Sequence, residues 1–128
     1  MSDLETFVWL AALAPTVWPE VEAGFRAGMV PAAVLERVRT SHLRPGQPRM
    51  LPAAAGAPMD VIRRAQSAGL QPMTRLDEDY PVLLSAIPDP PPLLWIRGSR
   101  SALSRPAVAI VGARAASHYA LTVAERLA

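Results

Sequence analysis

A chain of 128 residues with 51% hydrophobic and 19% charged side chains has the makeup of a globular protein, not a disordered one. Its thirteen basic residues are all arginine and face eleven acids, leaving a formal charge of +2 that permits a nucleic-acid partner without announcing one. The absence of cysteine excludes disulfides, thiolate metal sites and a cysteine nucleophile, and two histidines far apart, His42 and His118, do not suggest a zinc site.

The chain begins with a helix signal. Ser2-Asp3-Leu4-Glu5 fits a capping box, in which the serine hydroxyl takes the N3 amide and Glu5 reaches back. Leu4, Phe7, Val8 and Ala11 keep helical spacing as far as a stop at Pro15. A second helix is predicted from about Pro19 to Ala27, with Val21 and Phe25 inward and Gly28 as its stop. Pro31 opens a third, with Val34, Leu35 and Val38 buried. Trp9 and Trp18 are candidates for base stacking, although core packing is the commoner role of tryptophan in short amphipathic helices. The acids Asp3 and Glu5 stand where a secretory signal needs basic residues. The apolar stretch Phe7 to Ala14 is far shorter than the roughly 20 residues that span a bilayer. The expectation is a soluble cytoplasmic protein with no membrane partner.

From Arg44 to Pro58 four prolines and two glycines preclude a continuous helix or strand, and this stretch reads as a linker. Arg44 and Arg49 within it are candidates for phosphate contacts or simply solvated. Asp60 to Ala68 returns to helical order with Val61, Ile62 and Ala65 inward and Gly69 at the cap. Leu70 to Thr74 is a short edge strand interrupted by Pro72. Asp77-Glu78-Asp79 is an acidic turn before a short apolar helix, Val82 to Ile87. Such acids suit a metal or acid/base cluster, a helix cap through Asp77 and Asp79, or a solvated acidic turn, which is commoner than a catalytic one. Asp89-Pro90-Pro91-Pro92 is rigid and extended, Leu93 to Ile96 a strand, and Ser99 to Arg105 a connector.

The chain then reaches Ala107 to Val111, an uncharged run suited to a strand buried on both faces. Pro106 sits where a strand can begin, Gly112 breaks the run, and Ser117 to Ala128 reads as a helix with Tyr119, Val123 and Leu127 along one face. Strand, glycine turn and helix start form the first turn of a doubly wound α/β domain, whose helix N-terminus favours anions. The turn is not a dinucleotide fingerprint: laid over G-x-G-x-x-G, Gly112 fits the first position, but Arg114 and Ser117 replace the other two glycines. A guanidinium at 114 blocks close approach of a pyrophosphate to bare backbone, and is itself able to fork onto a phosphate. The alternative is an ordinary turn with an exposed arginine.

Taken together, Tyr80-Pro81-x-x-Leu84-x-x-Ile87-x-Asp89-Pro90-Pro91, the strand ending in Gly98, and Ala109-Ile110-Val111-Gly112-Ala113-Arg114-x-x-Ser117-x-Tyr119 resemble the DprA/Smf family of DNA-processing proteins. The likeness spans about fifty residues, Asp77 to Ala128. It implies an α/β protein: a small N-terminal helical (SAM/HhH-like) module with its linker, residues 1–58, and then the first part of an extended Rossmann-like parallel-sheet domain, residues 59–128. It also implies a non-enzymatic, cofactor-free protein that binds single-stranded DNA during natural transformation, protects incoming strands and loads the RecA recombinase. The full-length family protein is expected to dimerise. By position, Gly112, Ala113 and Arg114 match the family's G-S/T-R turn, which cradles a DNA phosphate. Ser117 matches the hydroxyl residue at the helix start, and Tyr119 the aromatic beside it.

The match has departures. Ala113 stands where a hydroxyl is common, and Ala120 where glycine is frequent. With one strand and one helix of the domain, the segment reads as truncated at its carboxyl end, and with Ala107–Val111 lacking a second neighbour the 128-residue chain is expected to be aggregation-prone or partly molten. Two other readings compete. One is a nucleotide-processing enzyme on a related Rossmann-like scaffold, such as the lysine-decarboxylase-like phosphoribohydrolases, against which the missing glycine-rich, glutamate-bearing motif counts. The other is a non-catalytic interaction module formed by the N-terminal helices.

Overall fold

The computed structural model describes residues 1–41 and 56–128. The linker prolines up to residue 52, together with His42, Arg44 and Arg49, lie outside the described residues. Helix α1, Asp3–Ala12, starts with the predicted capping box: the Glu5 amide donates to Ser2 Oγ at 3.3 Å and the Ser2 amide to Glu5 Oε2 at 2.5 Å. Those backbone and hydroxyl donors hold the Glu5 carboxyl below its ordinary range. After a single 3-10 turn, Pro15–Val17, the chain enters α2, Trp18–Arg26. Gly28, at φ +75°, then supplies the left-handed conformation that ends this helical run. Pro31 opens α3, Pro31–Ser41, and Pro58 opens α4, Pro58–Ser67, each in the first-turn position where a missing amide costs nothing.

These helices and a small sheet share one core. On α1, Phe7, Val8 and Leu10 are buried and meet Val21 of α2, Val34, Leu35 and Val38 of α3, and Ile62 of α4. Each such side chain taken fully out of water contributes about 1.5–3 kcal/mol before its ordering cost is counted. The Phe7 and Phe25 rings stack with centroids 5.5 Å apart. Trp9 packs against the same cluster, so the commoner of its two expected roles holds.

Strand β1, Gln71–Thr74, pairs antiparallel with β2, Leu93–Ile96, in the register Gln71 to Ile96 and Thr74 to Leu93. Met73 and Leu93 turn into the interior, and Leu93 joins the helical core. Between the strands lies α5, a single turn at Val82–Ser85. After β2 a 3-10 turn at Arg100–Ser104 leads to an extended stretch and then α6, His118–Leu127.

The architecture is thus helical at the amino end and mixed beyond it. Two expectations are corrected here. Ala107 to Val111 is neither a strand nor buried; every residue in it is exposed. Leu93–Ile96 is not its parallel neighbour but half of an antiparallel pair, which is the sheet found among the described residues. The physical reason is one and the same. A strand exists through hydrogen bonds to another strand, and among the described residues none pairs with residues 107–111.

Candidate anion-binding turn

The predicted site residues occupy one continuous stretch at the start of α6. Ser117 is the helix N-cap: its backbone is extended (φ −67°, ψ 158°), and its hydroxyl accepts the Ala120 amide at 3.2 Å. Satisfying one first-turn amide in this way leaves other amides of that turn facing outward. Gly112 and Ala113 approach along exposed backbone, and Arg114 sits in the bend just before the cap with its side chain exposed. Among the described residues no carboxylate forms an ion pair with Arg114, whereas Arg26, Arg39, Arg63, Arg75 and Arg100 each have one. Tyr119 is 79% exposed on the first turn of α6. The stretch therefore sets a guanidinium, a hydroxyl and a phenol around one helix start. That combination suits a phosphate flanked by a base.

The side of α6 that was expected to face a sheet looks instead onto the extended stretch. Val108, Ile110 and Val111 with Tyr119, Val123 and Leu127 line an open apolar cleft of about 700 Å³. The apolar face of α6 thus follows the expected periodicity, but it meets the extended stretch and no sheet.

The acidic turn is a structural clamp. Arg100 Nη2 donates to Asp77 Oδ2 at 2.5 Å and to Asp79 Oδ1 at 2.6 Å, and the Thr74 hydroxyl donates to Asp77 Oδ1 at 2.5 Å. Partial burial pushes the Asp77 carboxyl up, but the Thr74 hydroxyl and the Arg100 guanidinium outweigh it and hold Asp77 below the usual range. The acids do not cap α5, which has Pro81 at its cap with no side-chain bond, and the described residues contain no three-ligand metal cluster. Glu78 and Asp79 are exposed, as in a solvated turn, but Asp77 and Asp79 are tied to Arg100.

A second polar assembly carries the tyrosine–proline and D-P-P segments. Tyr80 is 5% exposed, its hydroxyl donates to the Pro91 carbonyl at 2.9 Å, and the Arg75 guanidinium lies 5.2 Å from its ring centroid. Burial pushes the Tyr80 phenol up to about 12, a rise that Arg75 opposes and Glu22 supports. The hydroxyl thus closes the loop between the two halves of the motif.

Residues 71–128 match the family model of DNA recombination-mediator protein A. The resemblance to the DprA/Smf family read from the residues is thereby shown over a segment a little under half of the chain. The matched segment holds β1, the Tyr80–Pro91 loop, β2 and the whole turn from Gly112 to Tyr119, while α1 to α4 lie ahead of it. No curated protein and no solved structure compared with the chain matches it significantly. Among the described residues no helix is long and apolar enough to cross a membrane.

Proposed function

We propose that this protein is a non-catalytic, cofactor-free single-stranded DNA-binding protein of the recombination-mediator type, which protects incoming strands and passes them to RecA during natural transformation. The carrying observation is Arg114: an exposed guanidinium without an ion pair among the described residues, beside a serine-capped helix start, inside the matched segment. The family description supports a role in DNA recombination. RecA as partner, a homodimer of the full-length protein and a Rossmann-like DNA-binding domain over 59–128 are further parts of this proposal, and they rest on the family likeness.

In this reading Gly112 and Ala113 let the strand approach the backbone, Arg114 forks onto a phosphate, Ser117 caps the first turn of α6 and leaves its other amides to the strand, and Tyr119 offers a ring for stacking. A neutralised phosphate on a single strand contributes about 0.7 to the slope of log affinity against log salt. Arg114→Ala is expected to weaken binding of unrelated single-stranded oligonucleotides alike and to flatten that slope by about that amount. An unchanged slope in fluorescence-anisotropy titrations removes Arg114 from the phosphate path. Release of free base from nucleoside monophosphates, by contrast, would favour the enzymatic alternative.

A further inference from the structure

Among the described residues Glu22 is the one buried acid, 4% exposed. Burying a carboxylate is costly unless it is paired and hydrogen-bonded. Here both oxygens are engaged: Arg75 donates Nε to Oε2 at 3.0 Å and Nη2 to Oε1 at 2.9 Å, and Arg26 donates Nε to Oε1 at 2.9 Å. The two arginines are unequal partners. Arg26 reaches back one helical turn from an exposed position, 68% open, whereas Arg75 comes from the end of β1 and is 22% open. Arg75 is also the residue that extends the ladder, its amide donating to the Pro92 carbonyl at 2.9 Å, and its guanidinium lies over the Tyr80 ring. Tyr80 in turn holds Pro91.

The geometry points to Glu22 as a positioning residue for the family segment: through the fork to Arg75 it sets the Tyr80 ring and the Pro91–Pro92 backbone, so helix α2, outside the matched residues, fixes the shape of the motif inside them. This inference is independent of DNA binding, since it concerns the order of the loop and not its ligand. A two-pronged, planar contact is required, because a point charge at 75 would neutralise Glu22 without orienting the guanidinium over the ring. The helical layer is thereby a working part of the hairpin's scaffold, and a change in α2 reaches the D-P-P segment by contacts at every step.

Hydrogen–deuterium exchange on the full chain tests this. Glu22→Gln is expected to speed exchange in residues 71–75 and 91–96 on the order of tenfold relative to α1 and α3, the size expected for loss of a charged hydrogen-bonded contact. Arg75→Lys, which keeps the charge and spares the fold, is expected to do the same to a smaller degree. Arg26→Ala is expected to leave the hairpin within twofold of the unaltered protein. Equal acceleration across all elements in Arg75→Lys, or none in the hairpin, would overturn the assignment, as would an Arg26→Ala effect as large as that of Glu22→Gln.

Discussion

Asp77 shows how a residue that invites a catalytic reading becomes structural once its neighbours are known. Its two oxygens serve Thr74 and Arg100, and the same guanidinium continues to Asp79. The clamp ties the connector after β2 to the turn after β1. Because the folded state depresses the Asp77 carboxyl, its stabilising effect is fully present above the unfolded aspartate value near 3.9 and is lost as pH falls through the lower folded value. Asp77→Asn should therefore lower the melting temperature at neutral pH, and the gap to the unaltered protein should close below about pH 4. Paired thermal melts across that range check it; a gap that persists in acid would assign the loss to shape and not to charge. The acids and their spacing were legible in the sequence, but their partner was not. Arg100 lies more than twenty residues away, and Arg75 more than fifty from Glu22, so no local pattern announces either pair.

Elements were far more legible than partners. The starts of α1 and α3 follow from Ser2 and Pro31, and the stops after α2 and α4 from Gly28 and Gly69, because caps are decided within four residues, whereas Pro58, expected to close the linker, opens α4 two residues ahead of Asp60. What α2 packs against is a longer-range fact. Gly24 faces α3 so closely that a methyl group there would stand 2.9 Å from Val34 Cγ2 and 3.2 Å from Cγ1. Val34 is fully buried and its branched side chain is stiff, so it has little room to yield. Alanine's helix propensity favours the substitution by about 1 kcal/mol, whereas overpacking costs about 1–3 kcal/mol. Gly24→Ala is expected to be destabilising by up to about 2 kcal/mol on that balance. Adding Val34→Ala should recover part of the loss that each change causes alone, which denaturant titration of the four variants would reveal as non-additivity. Strict additivity would mean that the two helices do not meet through this pair.

At the scale of the molecule, the described residues as far as β2 are packed, whereas the segment from Val108 to Leu127 presents apolar surface. The core joins α1 to α4 with β2, yet Val108 is 91% exposed, Val111 90% and Leu127 72%. The sequence carried the apolar character of 107–111 plainly. It did not carry the outcome, because a buried strand is a property of its neighbours, and the pattern only says that one is wanted. Together with the apolar face of α6 this surface forms a patch of the kind that drives association in water. Val108→Asp with Val111→Asp should therefore lower the binding of a hydrophobic dye several-fold and reduce light scattering at high protein concentration. The same double substitution should leave the helical core's melting temperature within a few degrees, since neither side chain touches that core and exposed changes typically alter stability by no more than about 0.5 kcal/mol. If dye binding persisted unchanged, the exposed apolar surface that matters would have to lie elsewhere, and α5, with Val82 and Leu83 both largely exposed, would be the next place to substitute.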